Sequence, residues 1–280
     1  MVALLTVFVI IPIVASFVIS FMQYNPLSAE NNAFVGFANF QRLFKDEYFL
    51  LALKNTVYFV VVMTAVNIVL SLTTAQLLCS LSSNKWRSLF RVSFFLPCVA
   101  PLAATSVVWM RSILPLKGGL INMILTAFGG SAMNWLGSAS LLMTSIMIVS
   151  TWADLGYNIV LLIAGIQGIP NDFYEAAEID GAGPIRRFFQ ITMPLLNKTL
   201  SFVLISTVIS QFQVFAQFDI MAKGGGPGRA ASVLSTFIYG QGFGTGKNMG
   251  YASAAAVIMF LIILVITMIQ RRMSKTDWGY

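Results

Sequence analysis

Six apolar stretches, each about as long as a membrane-spanning helix, constrain the fold of this chain more than any other feature. A helix needs about 20 predominantly apolar residues to cross the hydrocarbon core of a bilayer. The stretches cover approximately residues 2–22, 55–81, 89–114, 141–166, 200–221 and 251–269. Only 10% of the 280 residues are charged, against about 25% in ordinary globular domains. The sequence therefore predicts an all-α, polytopic membrane protein whose single domain, residues 1–280, contains six transmembrane helices.

Missing residue types exclude several functions. The chain has no histidine, so it has no Ser–His–Asp triad, no Cys–His pair and no His-ligated metal site. Cys79 and Cys98 lie in apolar stretches without CxxC spacing, and we interpret both as small buried hydrophobic residues. The net charge of +7 is not concentrated in a basic block, as is usual for Lys and Arg beside membrane spans. We therefore expect no catalytic residue, no metal and no nucleic-acid partner.

One glycine-rich segment superficially resembles a phosphate-binding loop. Residues 240–248 read GQGFGTGKN. A Walker A motif requires Gly six residues before its Lys and Ser or Thr directly after it, where this chain has Gln241 and Asn248. The chain is therefore expected to bind no nucleotide or other cofactor, and the energy for any transport must come from a separate subunit or from an ion gradient.

An even number of spans places both termini on one side of the membrane. With the N-terminus inside, nine of the 17 basic residues would lie inside and eight outside, which does not decide the orientation. The two short segments with the densest basic charge are SSNKWR at 82–87 and RRMSK at 271–275. Both favour cytoplasmic termini, because Lys and Arg are enriched in cytoplasmic loops.

The connection between the fourth and fifth spans, residues 168–198, is charged and patterned. Residues 170–195 read PNDFYEAAEIDGAGPIRRFFQITMPL and predict two short helices. We expect Asp172 to cap the first helix and Gly181 to end it in the left-handed conformation. Pro184 suits the first position of the second helix, and Pro194 is expected to end that helix.

Two interpretations of this hairpin remain open on physical grounds. It could be a surface element that packs on the ends of its own spans. It could also be a docking element, because Ala176 and Ala177 leave a helix face that another protein can approach closely. Glu175 and Glu178 would then supply charge for a basic partner.

The same loop carries a motif with specific spacing. Glu175-Ala176-Ala177, three residues, Gly181, nine residues and then Ile191-Thr192-Met193-Pro194 resemble the EAA signature of ABC importer permeases, with Met193 in place of the usual Leu. Three further segments resemble the carbohydrate-uptake branch of that family: FVGFANFQRLF at 34–44, NWL at 134–136 and GGGPGRAASVLSTFIYGQGF at 224–243. The likeness covers essentially the whole chain.

The resemblance implies a permease subunit of a binding-protein-dependent ABC importer in a prokaryotic plasma membrane, with a sugar or oligosaccharide as substrate and glycerol phosphates as a further possibility. It implies that 168–198 is a cytoplasmic coupling loop and that both termini are cytoplasmic. The partners implied are a second related permease, two ATPase subunits that bind ATP and Mg, and an extracellular solute-binding protein. The residues expected to contact the ATPase are Glu175, Ala176, Ala177, Glu178, Asp180, Gly181 and Pro184.

Polar and aromatic residues within the fourth and fifth spans are candidates for a substrate path. Amides can bond sugar hydroxyls, and aromatic faces pack on sugar rings. Gln213 and Gln217, four residues apart, are expected to share a helical face. The alternative is hydrogen bonding between helices, at about 0.6–2 kcal/mol per contact. The candidates are Trp152, Tyr157, Asn158, Gln211, Phe212, Gln213, Phe215 and Gln217.

A second function class is an ion-coupled secondary transporter of a small polar solute. Such a transporter needs intramembrane carboxylates for the coupling ion or proton. Asp154 and Asp219 are the carboxylates that the spans provide, and Asp219 lies near the end of its span.

Overall fold

The computed structural model describes residues 2–28, 32–244 and 247–273. Both chain ends, Lys275 of the basic C-terminal segment, and residues 245 and 246 of the 240–248 segment lie outside the described residues. Helices α1 (Val2–Leu5) and α2 (Ile11–Ser20) are joined through a π-helical turn, Thr6–Ile10. Together they make one apolar span in which Ser20 is buried and the other residues are exposed or half-exposed.

A short antiparallel ribbon and a short helix follow the first span. Strands β1 (Met22–Gln23) and β2 (Ala33–Phe34) pair with Met22 opposite Phe34. Helix α3 (Ala38–Leu43) then leads to the 34-residue helix α4 (Glu47–Ser80), where Asp46 accepts hydrogen bonds from the backbone N–H groups of residues 48 and 49. The cap explains why α4 begins earlier than the predicted 55–81.

The predicted third span is strongly bent. Helix α5 (Asn84–Val99) ends before Ala100, and helix α6 (Leu102–Val108) starts after Pro101 and continues as a π-helical turn, Trp109–Ile113. The two parts meet at 96°. Pro101 disfavours helical backbone at the residue before it, and Ala100 is extended at ψ 138°. Residues 89–114 are therefore a broken span rather than one straight helix.

The remaining elements complete an almost entirely helical chain. They are α7 (Leu120–Ala127), α8 (Ala139–Gln167), α9 (Asp172–Ile179), α10 (Pro184–Arg187), a π-helical turn (Phe188–Thr192), α11 (Met193–Leu195), α12 (Asn197–Phe212), α13 (Ala216–Met221), α14 (Leu234–Phe243) and α15 (Met249–Met273). Among the described residues, five helices are long and apolar enough to cross a membrane, and six if the bent pair counts as one span. The all-α fold and the six predicted spans are confirmed.

The segment between the fifth and sixth spans is more ordered than its nine glycines suggest. It contains α14, and its start is fixed to α4, because Asn55 donates to the carbonyls of Arg229 at 3.3 Å and Ser232 at 3.0 Å. Thr56 accepts a hydrogen bond from the Leu234 N–H at 2.8 Å. The glycine content of 222–250 alone would suggest a long flexible loop, which these contacts contradict.

The centre of the bundle is formed by α4, α8 and α12. Asn158 on α8 donates to Asn67 on α4 at 2.6 Å and to Thr207 on α12 at 2.9 Å. All three side chains are buried, so this triad joins three spans through polar contacts inside the apolar interior. Such contacts fix how the helices pack in a membrane.

Candidate functional site

The hairpin of α9 and α10 is built around the turn that its glycines predict. The N–H of Gly181 bonds the Glu178 carbonyl at 3.0 Å, and the N–H of Ala182 bonds the Ala177 carbonyl at 2.8 Å. These two bonds are those of a Schellman motif, which requires a left-handed residue after the helix. Gly181 has φ +73°, which confirms the prediction. Pro184 occupies the first helical position of α10, also as predicted.

Two details of the predicted hairpin are wrong. Asp172 is the first residue of α9, and Asn171 stands at the cap position without a side-chain hydrogen bond. The Asn171 backbone is already helical, at φ −63° and ψ −27°, so the helix starts there without an Asx cap. Pro194 does not end the second helix either. The π-helical turn directly before it, where Met193 bonds five residues back to Phe188, lets the chain continue to α12.

The outer surface of the hairpin is apolar at its tip and polar at its sides. Ile179 is 88% exposed and Ile185 is 76% exposed. Glu175 and Ala176 are also exposed. Glu178 forms an ion pair with Arg187 at 3.1 Å, so part of its charge serves to hold α9 against α10. The surface offers apolar side chains, together with the exposed carboxylates of Asp172, Glu175 and Asp180, to a partner.

The base of the hairpin is fixed to the bundle. Phe188 and Met193 pack on a core cluster formed by α4, α8 and α12, in which Leu196 is buried. The Tyr174 hydroxyl lies 3.0 Å from the Thr192 hydroxyl and ties α9 to the second arm. A displacement of the tip would therefore be transmitted to the spans rather than absorbed in a loose loop.

A second feature is a polar pocket of about 220 Å³ inside the bundle. It lies between α8 and α12, beside the bend that separates α5 from α6. The pocket is lined by Cys98, Leu102, Ala153, Asp154, Tyr157, Asn158, Ser206, Thr207, Ser210 and Gln211. Three of the predicted path residues are therefore brought together: Tyr157, Asn158 and Gln211.

These three residues do not play equal parts. Gln211 donates from Nε2 to Asp154 Oδ2 at 2.9 Å. Asn158 is engaged in the triad with Asn67 and Thr207, which is the interhelical role left open by the sequence. Tyr157, by contrast, is 51% exposed.

The other predicted path residues lie elsewhere. Trp152 packs edge-on against Trp109, with ring centroids 5.6 Å apart. Phe212 is buried in a small apolar cluster. Phe215 lies beside Tyr239 of α14, with centroids 5.0 Å apart.

Gln213 and Gln217 do not share a helical face, so that prediction is wrong. Gln213 is the C-cap residue that follows α12 and is exposed, whereas Gln217 lies in α13 and is buried. The helix breaks between them, with Phe215 at φ −134° and ψ −57°. The hydroxyl of Ser235 donates to the Val214 carbonyl and so stabilises the break from outside the span.

Sequence reasoning missed the hydroxyl side of the pocket. Ser206 and Ser210 are four residues apart on α12, as are Thr207 and Gln211. Residues at this spacing lie on the same side of a helix, so the polar stripe could have been found from the sequence. Among the described residues, no group of three or more Cys, Asp or Glu side chains could hold a metal ion.

The chain is a bundle of membrane-length helices with a polar pocket between its spans and an outward-facing hairpin whose base is fixed to the bundle. This architecture defines a transport permease subunit. The chain belongs to the family described as binding-protein-dependent transport system inner membrane component, which matches residues 67–276. This membership decides between the two transporter classes left open by the sequence, in favour of an ABC transporter permease over an ion-coupled carrier. It also places the chain in a membrane as a component of a transport system.

Several proteins are similar to this chain along almost its whole length. The probable ABC transporter permease protein YurN of Bacillus subtilis strain 168 is 39% identical over 272 residues, which cover 96% of this chain and 91% of that protein. The arabinooligosaccharides transport system permease protein AraP of the same organism is 30% identical and covers 98% of this chain and 85% of that protein. The crystal structure of a bacterial alginate ABC transporter, in complex with an alginate pentasaccharide-bound periplasmic protein, contains a chain with the same fold. Its TM-score is 0.85 at 23% identity, covering 99% of this chain and 93% of that chain.

Proposed function

We propose that this permease forms the translocation path of an ATP-driven importer for a sugar or an oligosaccharide. Its relative AraP is named as part of an arabinooligosaccharide transport system. The pocket between α8 and α12 presents amides, hydroxyls and a tyrosine ring, which are groups that can bind sugar hydroxyls and stack on sugar rings. The chain performs no bond chemistry and works by alternating access.

The observation that carries the proposal is the hairpin. Its base is buried in the bundle, while its tip leaves Ile179 and Ile185 uncovered. Exposed apolar surface rimmed by polar residues is typical of a protein interaction site. We propose that an ATPase subunit binds there through Glu175, Ala176, Ala177, Glu178, Asp180, Gly181 and Pro184.

The proposal defines an assembly and an orientation. A second related permease, two ATPase subunits with their ATP and Mg²⁺, and an extracellular solute-binding protein complete the importer. Because the hairpin would face the ATPases, both chain termini would be cytoplasmic and the 222–250 segment external. The largely exposed first span is free to contact lipid or the second permease.

Within this assembly, Tyr157, Asn158 and Gln211 would line the path at the pocket. Gln213 and Phe215 would lie further along it, at the break between α12 and α13. Trp152, Phe212 and Gln217 would support the path through packing, because each is engaged with or buried by neighbouring side chains.

The proposal is tested by transport into proteoliposomes that contain the permease with its partner subunits and its binding protein. Radiolabelled neutral mono-, di- and trisaccharides and glycerol 3-phosphate are supplied outside, with or without ATP inside. We expect ATP-dependent accumulation of at least one saccharide. Accumulation of glycerol 3-phosphate alone, or accumulation driven by an ion gradient without ATP, would contradict the proposal.

A matched pair of variants tests the docking face in the same assay. Ala176 and Ala127 are both exposed helical alanines, on α9 and α7 respectively. Ala176→Leu adds bulk to the proposed ATPase contact and should strongly reduce ATP-driven uptake. Ala127→Leu, which adds the same bulk away from the hairpin, should leave uptake unchanged. Equal uptake by the two variants would show that the α9 face does not contact the ATPase.

A further inference from the structure

The polar pocket contains one carboxylate and no basic side chain among the described residues that line it. Asp154 is the one charged side chain among the described residues that line it. In the described part of the chain, no Lys or Arg nitrogen lies within 4.0 Å of its carboxylate. Within the described residues, the one side-chain hydrogen bond it accepts comes from Gln211. The pocket therefore holds a carboxylate that has no counter-ion among the described residues.

The Gln211 amide adds a second hydrogen-bond acceptor to the pocket. Gln211 is 2% exposed, and its Nε2 is used by Asp154. Its Oε1 is buried and has no hydrogen-bond partner in the part of the chain that the structure describes. A buried acceptor without a donor is costly, so this oxygen would gain from a solute that brings an O–H or N–H group. Together, Asp154 and Gln211 make the pocket rich in acceptors and poor in cationic donors.

We infer that Asp154 gives the translocation path its charge selectivity: the path admits neutral or cationic solutes that donate hydrogen bonds and excludes anionic ones such as uronates and sugar phosphates. Repulsion between like charges is far stronger in a partly buried site than in bulk water, and intramembrane carboxylates commonly mark solute pathways. The saccharide nature of the solute rests on the proposed function; the charge selectivity does not.

Cys98 provides a reporter that needs no knowledge of the substrate, because it lines the same pocket. In a Cys79→Ser background it is the one remaining cysteine of this subunit. The purified complex is treated with cationic trimethylammonioethyl methanethiosulfonate or anionic sulfonatoethyl methanethiosulfonate. The rates of Cys98 modification are measured by mass spectrometry of the permease and compared with the rates for free cysteine.

We expect the cation-to-anion rate ratio at Cys98 to exceed that of free cysteine by about tenfold or more. Asp154→Asn, which keeps the shape of the side chain, should bring the ratio close to that of free cysteine. Asp154→Glu and Asp219→Asn are controls that should preserve it, since Asp219 does not line this pocket. The proposal would be overturned if the wild-type ratio equals that of free cysteine, or if Cys98 reacts with neither reagent. Both outcomes are measured on the wild type, so they hold even if the variants do not fold.

Uptake separates this inference from the proposed function. A neutral sugar and its uronate are compared in the proteoliposome assay for the wild type and Asp154→Asn. We expect the uronate-to-neutral uptake ratio to rise about tenfold in the variant. An uronate imported as readily as the neutral sugar by the wild type would refute the charge selectivity and leave the sugar importer standing. If no saccharide is imported, the proposed function fails while the Cys98 ratio still decides the charge selectivity.

Discussion

Gly181 offers the sharpest test of how the hairpin depends on local backbone geometry. It has φ +73°, and a Cβ built on it would meet no heavy atom of the described residues within 4 Å. A side chain there would therefore cause backbone strain without a clash. Left-handed backbone costs a residue with a side chain about 1–2 kcal/mol. We expect Gly181→Ala to shift the population of the native turn by roughly 5- to 30-fold, and the β-branched Gly181→Val to lie at the upper end.

Gly183 is a matched control in the same turn. A Cβ built on it also meets no heavy atom within 4 Å in the described part of the chain. Its backbone, at φ −67° and ψ 168°, is extended and accessible to any residue. Gly183→Ala should therefore leave the hairpin intact. Gly181→Asn should retain most of the native turn, because Asn tolerates the left-handed region better than Ala does.

Hydrogen exchange measures the turn directly. The N–H groups of Gly181 and Ala182 make the two bonds that close α9, so a peptide spanning 173–187 should exchange faster in Gly181→Ala by roughly the same 5- to 30-fold factor. Uptake per assembled complex should fall in parallel, while membrane insertion is unchanged. Equal exchange in Gly181→Ala and Gly183→Ala would refute the backbone argument.

Three further predictions concern packing and topology. Gly156→Ala places a Cβ 2.0 Å from the Phe94 carbonyl oxygen and should cost about 1–3 kcal/mol of stability, measured as a smaller amount of folded complex in detergent. Gly168→Ala is the control, because its nearest atom lies at 3.4 Å, and it should not reduce the amount of folded complex. Asn67→Leu removes the acceptor of a 2.6 Å hydrogen bond between buried side chains and should cost about 1 kcal/mol of stability. The thermal midpoint of the complex should fall while uptake per complex stays unchanged. Lost uptake at normal stability would contradict the structural role. In a Cys79→Ser, Cys98→Ser background, an impermeant thiol reagent on intact cells should label Lys223→Cys and not Asn171→Cys, both exposed sites; the reverse pattern would invert the topology.

Features set by local chemistry were predictable from the sequence. The spans follow from runs of apolar residues, and the hairpin follows from Gly181 and Pro184, whose backbone preferences act at their own positions. The six spans are confirmed when the bent pair counts as one, and α4 is extended at its start by the Asp46 cap.

Features set by distant contacts were not predictable in the same way. No Gly or Pro marks the break at Gln213–Phe215; Ser235 and Tyr239, from a different helix, hold it. The pairing of Asn158 with Asn67 joins residues 91 positions apart, so no local spacing reveals which amides face a pocket and which join helices. The 96° bend between α5 and α6 was predictable only in part. Pro101 predicts that the helix is interrupted, but it does not determine the angle.

The central claim is that the hairpin binds the ATPase, and site-specific cross-linking tests it most directly. A benzophenone is attached to Ala176→Cys on α9, or to Gly240→Cys on α14 as a control, in the background without native cysteines. Both positions are exposed. After irradiation of the assembled complex, the probe at residue 176 should yield a covalent product with the ATPase subunit, and the probe at residue 240 should not. A product between residue 176 and the extracellular binding protein, or no ATPase product at residue 176 in an ATP-hydrolysing complex, would contradict the claim.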